Sequence, residues 1–232
     1  AMFELIAGKS PYKSPTDMGV NMAGNCIVDD EVCREASRNE IIRRYFKALC
    51  DHKTGKNVDS EIFKLELLLN QAGLAVGDRA VEKQAHAVAE RTGGAPAAAI
   101  ELPDGQIVTG RTTALFGASS AAMLNALKTL AGIDDAIKLI SPTVIGPIQT
   151  LKTDYMQSRN PRLHTDEMLV ALAISAATDE NAMRAMQQLD ALNRCDAHST
   201  VILSNVDDSV FKRLGVNITC EPTYENNNLY HK

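Results

Sequence analysis

The spacing of apolar residues changes at Thr92-Gly93-Gly94, and that break divides what the chain can fold into. Before it the spacing is helical: Ile42, Tyr45, Phe46 and Leu49 fall at i, i+3, i+4 and i+7 and make one stripe. After it, short β-rich runs alternate with helical stretches. The chain is therefore read as a polar opening loop and helical segment (residues 1–94), an α/β domain (residues 95–222) and a flexible polar tail (residues 223–232). With 45% hydrophobic residues in 232, it carries the apolar material for a proper core.

In the first segment, Asp29 and Asp30 are N-cap candidates, and Glu31 and Glu35 put negative charge where a helix dipole favours it. A second helix is predicted over 60–72, capped by Asp59 and stopped by Gly73, and a third over 79–91. In the second segment, Pro103-Asp104-Gly105 joins strands 97–102 and 106–109 as a hairpin. A helix over 119–131 follows, then a short buried strand over 136–140 ending at Pro142. Helical stretches over 143–155, 166–177 and 181–192 precede a strand at 199–204, a helix at 208–214 and a strand at 216–220.

Helices crossing between strands predict a three-layer α/β/α sandwich. The order of elements compares with the cytidine-deaminase-like fold, but the zinc motifs of that fold are missing. The helix that would carry the first ligand begins Ser119-Ser120-Ala121-Ala122, Pro142 is followed by Thr143-Val144-Ile145-Gly146, and no cysteine lies between residues 50 and 195.

A formal net charge of -5, with no run of Lys or Arg, argues against nucleic acid as a partner. No stretch reaches the roughly 18 apolar residues of a membrane span, and the opening AMFELIAGKS lacks the parts of a signal peptide. A cytoplasmic location is expected. The five cysteines, at 26, 33, 50, 195 and 220, form no C-x-x-C pair, which fits reduced thiols.

The polar loop SPYKSPTDMGVNMAGNCIVDDE runs straight into EVCREASRNEIIRRYFKAL, and TGRTTALFGASS, LISPTVIGPI, RLHTDE and CDAHSTVILS follow. Together these blocks resemble the bacterial proteins of the domain-of-unknown-function 1846 family over nearly the whole chain. The resemblance implies a C-terminal portion whose relatives carry a further, comparably large N-terminal half with a phosphate-loop-like segment, and that half is an expected partner. It brings no catalytic residues to carry over. Gly8-Lys9-Ser10 is not itself such a loop, because Phe3 stands where the motif needs glycine.

Four groups of residues remain as candidates for chemistry. In the loop over 14–30, Asn21 and Asn25 supply amides while Gly19 and Gly24 let the backbone approach a ligand. Arg111, Thr112 and Thr113 leave the hairpin ahead of Ser119, where a helix start, a hydroxyl and a guanidinium would suit a phosphate or carboxylate. His164 and His198 are candidates for proton transfer. Cys195 and His198 are spaced C-x-x-H, but no second short-spaced pair anchors a zinc site, so no metal is expected.

These features predict a binder of a small anionic or nucleotide-like ligand, with no cofactor assigned by any motif. The competing reading is a noncatalytic oligomerisation or regulatory module whose interface is the stripe through Ile42, Tyr45, Phe46 and Leu49.

Overall fold

Asp29 accepts hydrogen bonds from the N–H groups of Glu31 and Val32 and starts helix α1 (Asp30–Lys53) in the computed structural model, which describes residues 29–225. Helix α2 (Asp59–Ala72) ends at Gly73, whose left-handed φ of 62° is open to glycine without strain. The two helices join through Ile42, Phe46 and Leu69. A 3-10 turn (Val76–Asp78) leads into α3 (Ala80–Arg91).

Past the glycine break the chain enters a hairpin of β1 (Ala97–Glu101) and β2 (Ile107–Arg111). Asp104 accepts from the Gln106 N–H in the turn, as its sequence predicts. Helices α4 (Ala118–Leu130), α5 (Pro142–Thr150), α6 (Thr165–Ala176) and α7 (Glu180–Met186) follow. Strand β3 (Asp196–Ser199), helix α8 (Asn205–Arg213) and strand β4 (Asn217–Cys220) complete the described residues.

The fold is mixed α/β. The four strands order as β2-β1-β3-β4, with β1 antiparallel to both neighbours and β3 parallel to β4 across the α8 connection. Side chains alternate across this sheet. Ala98, Ile100 and Ala197 enter the main core with Ala122, Met123, Leu172 and Phe211, whereas Ala99 packs on Val81 and Ala85 of α3. Helices therefore pack on both faces, α4 on one and α3 on the other. Gly110 sets the closeness of α4: a Cβ there would lie 2.1 Å from the Ala122 nitrogen.

Three expectations are corrected. Residues 136–140 form turns rather than a strand: Asp134 accepts from Ala136 through its side chain and from Ile137 through its carbonyl, while Leu139 and Ile140 are buried without sheet pairing. The deaminase-like order loses that strand. The strand expected at 199–204 lies at 196–199, because Ser199 Oγ accepts from Val201 N and donates to Val201 O, turning the chain out of the sheet. The helix expected over 143–155 gives way at Thr150 to a π turn (Leu151–Tyr155). Among the described residues no helix is long and apolar enough to cross a membrane, and the four described cysteines are free.

Candidate functional site

Thr113 accepts from the N–H groups of Leu115 and Phe116 and so folds the segment ahead of α4 into a tight turn. That turn sets Phe116 in a parallel bridge with Leu163, and Ser120 Oγ donates to the Leu163 carbonyl at 2.9 Å. The starts of α4 and α6 are thereby held side by side. Asp207 brings in α8. Its Oδ1 accepts from Thr165 N at 2.7 Å and Thr165 Oγ1 at 2.6 Å, while Oδ2 lies 3.0 Å from His164 Nδ1 and accepts from Ser204 Oγ at 2.7 Å.

Three helix starts therefore converge on one narrow cleft, lined by Thr112, Gly117, Ser119, Arg162, His164, Ser204, Asp207 and Glu225 among others. Its cavity volume of about 30 Å³ suits a group of a few atoms rather than a large ligand. The three starts differ in what they have left to give. Asp207 accepts from the first N–H of α6, and Ser204 Oγ accepts from Asp207 N in α8. Helix α4 is capped by Gly117 and has no side-chain cap, so its first-turn N–H groups have no capping oxygen. Beside it, the buried Thr112 Oγ1 has no hydrogen-bond partner.

The hydrogen bond that His164 donates to Asp207 raises the imidazole above its ordinary value, against the opposing effect of burial. Burial acts to raise the Asp207 carboxyl, but hydrogen bonds from His164 and Thr165 outweigh it and hold the group below its usual value. Their hydrogen bond favours the charged form of both groups. Arg162 adds a guanidinium, paired with the Glu225 carboxylate.

Of the residues expected from sequence, Thr112, Ser119 and His164 line this cleft together. Arg111 does not. Gly110 faces α4, so the next residue of β2 points to the α3 face, where Arg111 is exposed. Thr113 is used in its turn, and Asn21 and Asn25 lie outside the described residues. His198 is fully buried on the α3 face, where burial lowers its imidazole against the pull of Glu221. Ser204 and Asp207 went unread in the sequence, although Ser204-Asn205-Val206-Asp207 has the S-x-x-D spacing of a helix start. Arg162 stands in the RLHTDE block without any local signal that it would reach the cleft.

A wider cleft at the other end of β1 and β3 includes Glu35, Glu101, Arg194 and Asp196. Its carboxylate Asp196 is already tied to Arg43 at 3.4 Å and Arg79 at 3.2 Å.

The chain belongs to the family of the domain of unknown function DUF1846: residues 1–73 match its N-terminal model and residues 77–230 its C-terminal model. It is 55% identical over 231 residues to a UPF0371 protein of Corynebacterium efficiens and 55% identical over 232 residues to one of Corynebacterium diphtheriae. A UPF0371 protein of Streptococcus thermophilus is 53% identical over 231 residues. Each match covers 100% of this chain and 46% or 47% of the relative, so the chain spans about half the length of the curated relatives it matches. The N-terminal model takes in α1 and α2, and the C-terminal model takes in α3 and the sheet.

Proposed function

We propose that the cleft where α4, α6 and α8 begin binds a small anionic group, a phosphate or carboxylate, carried by a small cytoplasmic ligand. The observation that carries this reading is the uncapped start of α4 beside the unpartnered, buried Thr112 Oγ1. Two unfilled donors at one point are costly unless something accepts from them. Arg162 supplies the guanidinium that the sequence suggested for Arg111, and Glu225 sits on it as an internal carboxylate that an incoming anion would displace. His164, held protonated by Asp207 over a wider pH range than a free imidazole, adds positive charge rather than acting as a base.

Titration with inorganic phosphate tests this. Arg162→Ala should weaken binding by roughly ten- to a hundredfold, the loss of one charge-assisted hydrogen bond, whereas Arg111→Ala should leave it unchanged. Equal affinity in the parent and Arg162→Ala would remove the guanidinium from the site.

An interface between copies would use a surface other than the stripe through Ile42, Tyr45, Phe46 and Leu49. Ile42 and Phe46 are buried within the chain. Among the described residues Phe63, Leu67 and Leu68 of α2 are exposed and offer an apolar surface to a second copy, which a shift to monomer in Phe63→Glu would reveal by sedimentation. Helices on both faces of the sheet support the three-layer α/β/α description.

A further inference from the structure

On the sheet face away from the cleft, three side chains from separate elements converge: His86 of α3, His198 of β3 and Glu221 just past β4. Their nearest donor atoms all lie within 4.8 Å of one another. His86 Nε2 is 3.1 Å and His198 Nε2 3.3 Å from the same oxygen, Glu221 Oε1. For metal–ligand bonds of 2.0–2.2 Å in a tetrahedron, donor atoms stand about 3.4 Å apart. The two distances to Glu221 Oε1 match that spacing, and the pair of imidazole nitrogens falls within 4.8 Å.

The protonation of His198 follows from its other nitrogen. Nδ1 lies 2.9 Å from Thr219 Oγ1, and that hydroxyl donates its one hydrogen to the Ala197 carbonyl at 3.1 Å while accepting from Arg79. Thr219 can then only accept from His198, which puts the ring hydrogen on Nδ1 and leaves a lone pair on Nε2. The ring is 0% exposed, packed 5.0 Å from the Phe46 ring, and Nε2 has no hydrogen-bond partner. A buried lone pair facing a carboxylate oxygen at 3.3 Å is repulsive unless a proton or a metal ion stands between them. Glu82, one turn before His86 on α3, has a further buried polar atom without a hydrogen-bond partner, Oε2.

We propose that His86, His198 and Glu221 bind one divalent transition-metal ion, for which two imidazoles and a carboxylate best suit zinc. Thr219 is the outer partner that orients the His198 ring, as ligating imidazoles require. His86 is half-exposed, so the ion enters from solvent and keeps a coordination position for water. The sequence expectation of no metal rested on short ligand spacings around Cys195. These three donors are far apart in the chain and no spacing rule would join them.

The test uses protein without a histidine tag, stripped with a chelator and titrated with zinc against a chromophoric competitor. One equivalent should bind, and cobalt in its place should give the intense visible bands of a tetrahedral site. His86→Ala changes a half-exposed residue and should weaken zinc by at least about a hundredfold, more than a second-shell loss. Glu221→Gln, which keeps the side-chain shape, should do likewise, and His52→Ala, at an exposed histidine elsewhere, should change nothing. Failure of the parent to bind one equivalent, or undiminished binding by both His86→Ala and Glu221→Gln, would show a purely structural cluster and overturn the proposal.

Discussion

His164 and His198 each face a carboxylate, yet their surroundings shift the two imidazoles in opposite directions. His164 sits at the start of α6 with partial access to water, and Asp207 meets it in a hydrogen bond at 3.0 Å, so its proton is held more tightly than in a free imidazole. His198 lies wholly inside the other face, where desolvation outweighs the attraction of Glu221 and the proton is lost more readily. Alignment and access to water decide the charge, more than the identity of the neighbour. The consequence is chemical: an imidazole whose charged form is favoured, beside unfilled N–H donors, suits anions, and a buried one whose neutral form is favoured suits a metal.

The comparison breaks most visibly at its carboxylates. Asp207→Ala removes the acceptor that serves His164, Thr165 and Ser204 and that ties α6 to α8, so it should cost about 3–5 kcal/mol of stability in denaturant unfolding. Glu221→Gln in metal-free protein takes the charge from the oxygen that accepts from His86 and should cost only about 1–2 kcal/mol. Equal costs at the two sites would contradict the distinction drawn between a satisfied network and an unsatisfied one.

Much of the fold was legible because its signals are local. The Asp29 cap, the Gly73 stop and the Pro103-Asp104-Gly105 turn each act within a few residues. The turns at 136–140 were hidden, since buried Leu139 and Ile140 look the same in sequence whether or not they pair in a sheet. Thr112, Ser119 and His164 were legible as candidates from their places at element ends. Arg111 misled because one residue of β register decides its face, and the position of Gly110 against α4 is a tertiary fact. Asp207 and Glu221 reach their histidines only through long-range packing.

A smaller effect sharpens the contrast by pH. His164 has a raised value in the folded state, so its contribution to stability is present below the unfolded value and fades as pH rises through the folded one. The depressed value of His198 acts the other way: stability is held above its unfolded value and lost as pH falls through the folded one. Imidazole proton resonances of metal-free protein should therefore titrate with midpoints on opposite sides of about 6.5, the ordinary histidine value, and a shared midpoint would undo the comparison. Smallest of all, Arg111→Ala should change stability by no more than about 0.5 kcal/mol in the same unfolding assay, as expected for an exposed side chain without structural duty.

The most direct test of anion binding at the cleft is a phosphate titration followed by amide resonances. Saturable shifts are expected at Ala118, Ser119 and Ser120 in the first turn of α4, with those shifts lost in Arg162→Ala and kept in Arg111→Ala. Amides at the start of α4 that stay unmoved by phosphate, or that move equally in Arg162→Ala, would contradict the site.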